Sequence, residues 1–232
     1  MNFAIIVAAG SGTRMNNNGL PKQFLKINEV PLLVYSLKTF ASCKSVDGLI
    51  IVANPAYIDL TTQIIDEYKI NKVLGVVVGG KTRQQSVYNG LELLKVFSVK
   101  DDDIVLIHDS ARPLVSEKII LDNMEACKEY EAVTTAISVT DTIAVSSENK
   151  EISNVPNRET LYAVQTPQTF KYSLIMKAHQ NFIEHPFDHV TDDTSLVKEI
   201  KHPVKIVEGS KENLKVTTQE DVEVIQNIIN KK

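Results

Sequence analysis

Phe3-Ala4-Ile5-Ile6-Val7-Ala8-Ala9-Gly10-Ser11-Gly12-Thr13-Arg14-Met15 passes within a few positions from an apolar run to a turn of small residues and then to a cation. The run from Phe3 to Val7 is rich in apolar side chains and far too short for a membrane helix or a signal-sequence core, so it reads as a strand buried on both faces. In the turn that follows, small side chains let the backbone come close to a ligand, and successive N–H groups in such a turn bind anions. Arg14, and Lys22 in the nearby Pro21-Lys22-Gln23, add full positive charge. The stretch reads as a cradle for a triphosphate. It is no Walker loop, because Gly-x-x-x-x-Gly-Lys-Ser/Thr is absent, and Gly10 and Gly12 lack the third glycine of a dinucleotide fingerprint. Taken alone, a Gly-Ser-Gly turn usually does no more than join two elements, so the rest of the chain has to decide.

Outward from this stretch, short apolar runs alternate with longer amphipathic ones, the pattern of parallel strands joined by crossover helices. Further strands are predicted at Gly48 to Ala53, Val73 to Val78, Ile104 to Ile107, Ala132 to Val139 and Val204 to Val207, all read as buried on both faces. Helices are predicted at Pro31 to Phe40, Tyr57 to Tyr68, Gln84 to Val96, Glu117 to Tyr130, Tyr172 to Phe182 and Gln219 to Ile229. The fold class is therefore α/β, a Rossmann-like, doubly wound and mostly parallel sheet, with residues 1–232 as a single domain. Asp141 to Thr160 breaks the rhythm and reads as a hairpin, with Thr142 and Arg158 on its two strands. A two-stranded arm is marginal alone, so it is expected to pack on something, a second subunit being one choice and the protein's own surface another.

Composition narrows the function classes. Of 232 residues 43% are hydrophobic and 23% charged, and 25 Lys plus Arg stand against 29 Asp plus Glu, a net charge of -4. That balance carries no basic footprint for nucleic acid, and no run is long enough to span a membrane. The two cysteines, Cys43 and Cys127, are far apart, which argues against a disulfide framework or a cysteine-rich zinc site and fits a reducing cytoplasm.

A second charged stretch, His108-Asp109-Ser110-Ala111-Arg112-Pro113, follows the fourth strand at its carboxyl end, the edge where open α/β sheets bind ligands. For Asp109 a helix cap or structural ion pair is the alternative reading, and for Arg112 a solvated charge. Gln165-Thr166-Pro167-Gln168, Val190-Thr191-Asp192-Asp193 and Asn213-Leu214-Lys215-Val216-Thr217-Thr218 also set hydroxyls or charge at element boundaries. Taken singly, the second and third read as helix caps.

Together with Gly79-Gly80-Lys81-Thr82-Arg83-Gln84-Gln85-Ser86-Val87, these motifs resemble one family, the 2-C-methyl-D-erythritol 4-phosphate cytidylyltransferases, over Phe3 to Ile229 and in the family's order. The ribitol 5-phosphate cytidylyltransferases share fold and chemistry, but Ala-Ala-Gly-Ser-Gly, His-Asp-Ser-Ala-Arg-Pro and Thr-Asp-Asp-Thr-Ser favour the erythritol family. Ser110 is ribitol-like, and Lys81 departs from a position often small or acidic.

The resemblance implies catalytic roles for Arg14, Lys22 and Lys215, with Arg14 and Lys22 on the triphosphate. It implies a CTP pocket from Ala8, Ala9, Gly10, Gly12, Gly80, Ser86, Asp109 and Ser110, with Asp109 near Mg²⁺. Asp109, Arg112, Thr142, Arg158, Thr166, Thr191 and Lys215 are then the positions for methylerythritol phosphate, with Thr142 and Arg158 reaching the partner's site in a homodimer. The implied reaction is attack of a phosphate oxygen on the α-phosphorus of CTP with loss of pyrophosphate. The attacking phosphate is mostly ionised at neutral pH, since its second pKa is about 6, so no general base is assigned and His108 is read as structural. Two rivals remain: a non-catalytic nucleotide sensor, which has no need of Lys22, Arg112 and Lys215 together, and a UTP- or GTP-dependent sugar nucleotidyltransferase with a different base pocket.

Overall fold

The computed structural model describes residues 1–10 and 20–231. Its strands are β1 (Asn2–Ala8), β2 (Lys26–Ile27), β3 (Val30–Pro31), β4 (Gly48–Ala53), β5 (Val73–Val78), β6 (Ile104–Asp109), β7 (Ala132–Ser138), β8 (Val145–Ser146), β9 (Ile152–Asn154), β10 (Tyr162–Lys171) and β11 (Lys205–Glu208). The helices are α1 (Leu32–Ser42), α2 (Ile58–Glu67), α3 (Arg83–Leu94), α4 (Glu117–Tyr130), α5 (Tyr172–Glu184), α6 (Asp193–Glu199) and α7 (Gln219–Ile229). The main sheet has seven strands in the order β11-β7-β10-β6-β1-β4-β5.

Alternation along β1 builds both faces of the sheet. Ala4, Ile6 and Ala8 join Leu37 and Phe40 of α1, Ile64 of α2 and Ile120 of α4 in one cluster. Phe3 and Ile5 join Val87 and Leu91 of α3, Ile175 of α5 and Leu196 of α6 in another. Helices thus cover both sides, as the doubly wound reading requires. Ile5, Ile6, Ile50 and Ile51 are fully buried. Trimming one such side chain to alanine costs about 2–5 kcal/mol, a large share of the roughly 5–15 kcal/mol that keeps a domain folded. That cost accounts for the nearly unbroken apolar sequence of β1 and β4. A smaller cluster seats α7, through Val222 and Ile225, on Ile27, Leu32 and Val216.

Three expectations need correction. β5 and β11 are the two edges of the sheet rather than strands buried on both faces, and Val78 and Ile206 are 46% and 41% exposed. β10 is a ten-residue strand that the sequence reading lacks, and it runs antiparallel between β6 and β7. Pro167 argues against a central strand. Here the β7 pairing breaks between Val164 and Gln168, and the Pro167 carbonyl accepts from the Thr135 hydroxyl at 2.7 Å instead. Finally, the hairpin strands are only two and three residues long, so Thr142 precedes β8 and Arg158 lies in a 3-10 turn after β9, neither being on a strand.

The site is placed by topology. From β1 the sheet extends to β4 and β5 on one side and to β6 on the other, and these four strands are mutually parallel. Their carboxyl ends share one edge, with Ala8 opposite Ala53 and Val7 opposite Asp109. This is the crevice at a topological switch point where such sheets take ligands.

Candidate active site

At the end of β1 the backbone turn is braced from below. Gln23 is buried in a short 3-10 turn, and its amide donates to the Ala8 carbonyl at 2.6 Å and the Gly10 carbonyl at 3.0 Å. Lys22, the residue before it, donates from Nζ to the Val216 carbonyl at 2.7 Å. Two adjacent residues thus tie the end of β1 to the segment that carries Lys215. Gly12 and Arg14 lie outside the described residues.

The β5–α3 turn closes the other side. Thr82 caps α3 by accepting from the Gln85 amide at 3.1 Å. Ser86 Oγ accepts from the Gly80 amide at 3.0 Å and donates to the Thr82 carbonyl at 2.8 Å. Gly79 is required by proximity, since a Cβ there would lie 2.3 Å from Ala9 Cβ. Between the turns lies a cavity of about 440 Å³ whose lining includes Ala9, Gly10, Lys22, Gly80, Ser86, Asp109, Ser110 and Lys215. Lys81 lines it too, and Ser110 is buried with its amide donating to the Val7 carbonyl.

Asp109 is the centre of charge. Lys215 Nζ donates to its Oδ2 at 2.6 Å, and Arg83 Nε lies 3.4 Å from Oδ1. Burial pushes the carboxyl pKa up, but Arg83, Lys215 and Arg112 outweigh it and hold Asp109 well below the usual carboxylate range. Arg83, which pairs with both Asp109 and Asp193, is given no role by the sequence motifs. Its place in the first turn of α3 is a signal, because a cation at a helix N-terminus is unfavourable unless an anion compensates it.

His108 explains how Asp109 is aimed. The Asp109 amide donates to Thr166 Oγ1 at 3.1 Å, which frees the hydroxyl proton for His108 Nδ1 at 3.0 Å. That leaves Nε2–H to donate to the Arg112 carbonyl at 3.1 Å. Burial drives the His108 pKa down to about 4, so the ring is neutral with both nitrogens occupied, as the structural reading expects. Because this value lies below the ordinary 6.5, the unfolded chain binds the extra proton between the two values. Stability from neutral His108 is complete above pH 6.5 and is lost as pH falls through about 4. Urea unfolding at pH 7 and pH 4 should show the wild type losing on the order of 3 kcal/mol more than His108→Asn. Equal losses in the two proteins would contradict this.

Beyond Asp109 a second cavity, about 180 Å³, is lined by Arg112, Thr166, Gln168 and Thr191, and Arg83, Asp109 and Lys215 form its shared wall with the first. Arg112 is buried, donates to the carbonyls of Asn213 and Val164, and keeps a buried Nε with no partner among the described residues. A third cavity, of about 520 Å³, continues from Arg112 and Lys215 to Thr140 and Asp141 at the base of the hairpin. Thr142 and Arg158 line none of these three. Both are exposed, and Arg158 Nη1 donates to the Thr140 carbonyl at 3.0 Å. The capping readings hold for Asp192, which caps α6, and Thr218, which forms a capping box with Asp221 on α7.

A wall of Arg83, Asp109 and Lys215 dividing two cavities at the carboxyl edge of a doubly wound sheet defines the class of fold and site, a Rossmann-like α/β protein with a charged ligand crevice. A family model described as IspD: 2-C-methyl-D-erythritol 4-phosphate cytidylyltransferase matches residues 2–231, and the chain belongs to that family. Among curated proteins, a 2-C-methyl-D-erythritol 4-phosphate cytidylyltransferase of Clostridium botulinum (strain Langeland) is 42% identical over 99% of this chain and 98% of its own. One from Caldanaerobacter subterraneus is 41% identical over 98% of each chain. Among solved structures, the 4-diphosphocytidyl-2C-methyl-D-erythritol synthase of Anaerococcus prevotii superposes with a TM-score of 0.84 at 30% identity, covering 100% of this chain and 96% of that one.

Proposed function

We propose that the protein transfers the cytidylyl group of CTP to 2-C-methyl-D-erythritol 4-phosphate, giving 4-diphosphocytidyl-2-C-methyl-D-erythritol and pyrophosphate, a step of isoprenoid precursor synthesis. The observation that carries this reading is the Arg83–Asp109–Lys215 wall between two cavities, in a chain matched from end to end by one cytidylyltransferase family. CTP occupies the cavity of about 440 Å³, its base against the Gly80–Ser86 turn and its phosphates against Gly10 and Lys22, with Gly12 and Arg14 assigned to the phosphates from the family resemblance. The acceptor phosphate enters beside Arg112, Thr166 and Thr191. The obstacle is repulsion between two polyanions, so catalysis comes from positioning and fixed positive charge. Lys215, on the wall, steers the acceptor oxygen, while Arg14 and Lys22 stabilise charge on the triphosphate. Thr166 works mainly through its hydrogen bonds to Asp109 and His108, since these occupy most of its hydroxyl's capacity.

Among the described residues no three His, Cys, Asp or Glu side chains come together as a metal cage. Among the described residues Asp109 is the one carboxylate lining the nucleotide cavity. That suits Mg²⁺, which is commonly held by one or two carboxylates plus substrate phosphates. Asp109 and the triphosphate would hold it, and it would neutralise phosphate charge.

The same reading includes a homodimer through the arm at residues 141–160, supported by the exposed Ile143, Val145, Ile152 and Val155. It takes residues 1–232 as one nucleotidyltransferase domain in the cytoplasm, a setting that suits two free, buried cysteines. No helix among the described residues is long and apolar enough to cross a membrane. The ribitol alternative is disfavoured by the methylerythritol names of relatives that match over the whole chain.

Pyrophosphate release with CTP, UTP, ATP and GTP tests this reading. A base pocket built from close backbone contacts rejects bases that cannot pair with it, so CTP should exceed the others by at least about 10²-fold in kcat/KM. Comparable turnover with UTP would refute the assignment of the base pocket.

A further inference from the structure

Arg83 is held between two carboxylates, and the two contacts differ. Nη1 lies 2.6 Å from Asp193 Oδ2, while Nε lies 3.4 Å from Asp109 Oδ1. Asp193 is completely buried, receives His179 Nε2 on its other oxygen at 3.1 Å, and donates its amide to Gln168 Oε1 at 3.0 Å. Gln168 in turn donates to Asp192 Oδ2 at 2.8 Å and Thr134 Oγ1 at 3.2 Å. Asp193 is thus walled in and lines neither the nucleotide cavity nor the acceptor cavity, whereas Arg83 and Asp109 line both. A buried carboxylate of this kind is retained at a cost in desolvation, and its charge is compensated by the guanidinium.

We propose that Arg83 is a positioning residue for Asp109, and that Asp193, fixed by His179 and Gln168, is the anchor that orients Arg83. The planar guanidinium reaches both carboxylates at once and transmits the rigid position of the α6 terminus to the wall between the cavities. Lys215 is set in turn by Asp109. The hydrogen bonds that shape the base turn, Gly80 amide to Ser86 Oγ and Ser86 Oγ to the Thr82 carbonyl, do not use the Arg83 side chain, so loss of the anchor should show in kcat more than in KM for CTP. The inference rests on the reading of the site given under Proposed function.

The test compares wild type with Arg83→Met, Arg83→Lys, Asp193→Asn and the double variant Arg83→Met/Asp193→Asn. Each kcat is divided by the number of CTP-competent sites measured by calorimetric titration. Arg83→Met should lower kcat by about 30-fold or more with KM for CTP within about threefold, the mark of an interaction that serves the transition state. Arg83→Lys should recover little, because an ammonium cannot bridge both carboxylates. Asp193→Asn should cost about tenfold in the wild-type background and under about twofold in the Arg83→Met background, since coupled residues are not additive. Equal losses in both backgrounds, or wild-type kcat per competent site in Arg83→Met, would overturn the proposal. Should Asp193→Asn fail to fold, the Arg83→Met and Arg83→Lys pair decides it. An inactive wild type would instead refute the proposed function.

Discussion

Lys215→Ala is expected to lower kcat by about 10³-fold, as for removal of a preorganised charge from a developing transition state. Lys215 lines all three cavities and sits 2.6 Å from Asp109, so its ammonium is already at the boundary that the acceptor oxygen must cross. The competing account makes Lys215 a structural partner of Asp109. The Lys215 side chain is 41% exposed but Asp109 is only 12% exposed, so removing the ammonium leaves a buried carboxylate with Arg83 as its remaining ion-pair partner. A structural role therefore predicts a lowered melting temperature with kcat unchanged in the folded enzyme, whereas a catalytic role predicts loss of kcat in an enzyme that remains folded. Lys215→Arg, which keeps the charge but displaces it, should fall between the two. A loss confined to KM would show that Lys215 serves ground-state binding alone.

The second large effect concerns Arg158. It stands on the exposed arm, donates from Nη1 to the Thr140 carbonyl, and among the described residues lines none of its own chain's three cavities. If the arm completes the partner's site, Arg158→Ala and Lys22→Ala should each lower activity by about 10²-fold or more as pure dimers. Mixed dimers have one doubly defective site and one intact site. Random exchange makes about half the dimers mixed, so up to roughly a quarter of wild-type activity should return on mixing. Arginine suits the role because its planar fork can hold a phosphate in two hydrogen bonds and so fix the direction of the attacking oxygen. No recovery, with subunit exchange confirmed separately, would mean that Arg158 serves its own chain or only the surface.

What is legible in the sequence follows burial and distance along the chain. β1 and β4 declare themselves because both faces are covered and nearly every side chain is apolar. β5 has the same valine-rich look but lies at an edge, since its burial depends on a neighbour that its own residues do not specify. β10 is concealed by Gln165, Thr166, Pro167 and Gln168, polar or proline residues in a buried strand. They are tolerated because partners remote in sequence satisfy them: Gln168 by Thr134 and Asp192, and the Asp109 amide by Thr166. Lys22, Asp109, Arg112 and Lys215 are legible because each stands in a short motif at an element boundary. The function of Arg83 is set by carboxylates 26 and 110 positions away, a relation that no local pattern expresses. The hairpin is visible as a break in rhythm, but with almost no core beneath it the extent of its strands is not.

The most direct measurement is a single competition reaction. CTP, the enzyme and equal concentrations of 2-C-methyl-D-erythritol 4-phosphate and ribitol 5-phosphate are incubated with a divalent cation, and the products are separated and weighed by mass spectrometry. 4-Diphosphocytidyl-2-C-methyl-D-erythritol should form in at least about 10²-fold excess, the discrimination available to a site whose buried polar groups must be matched by the acceptor. CDP-ribitol as the main product, or neither product while CTP still binds, would contradict the assignment of the acceptor.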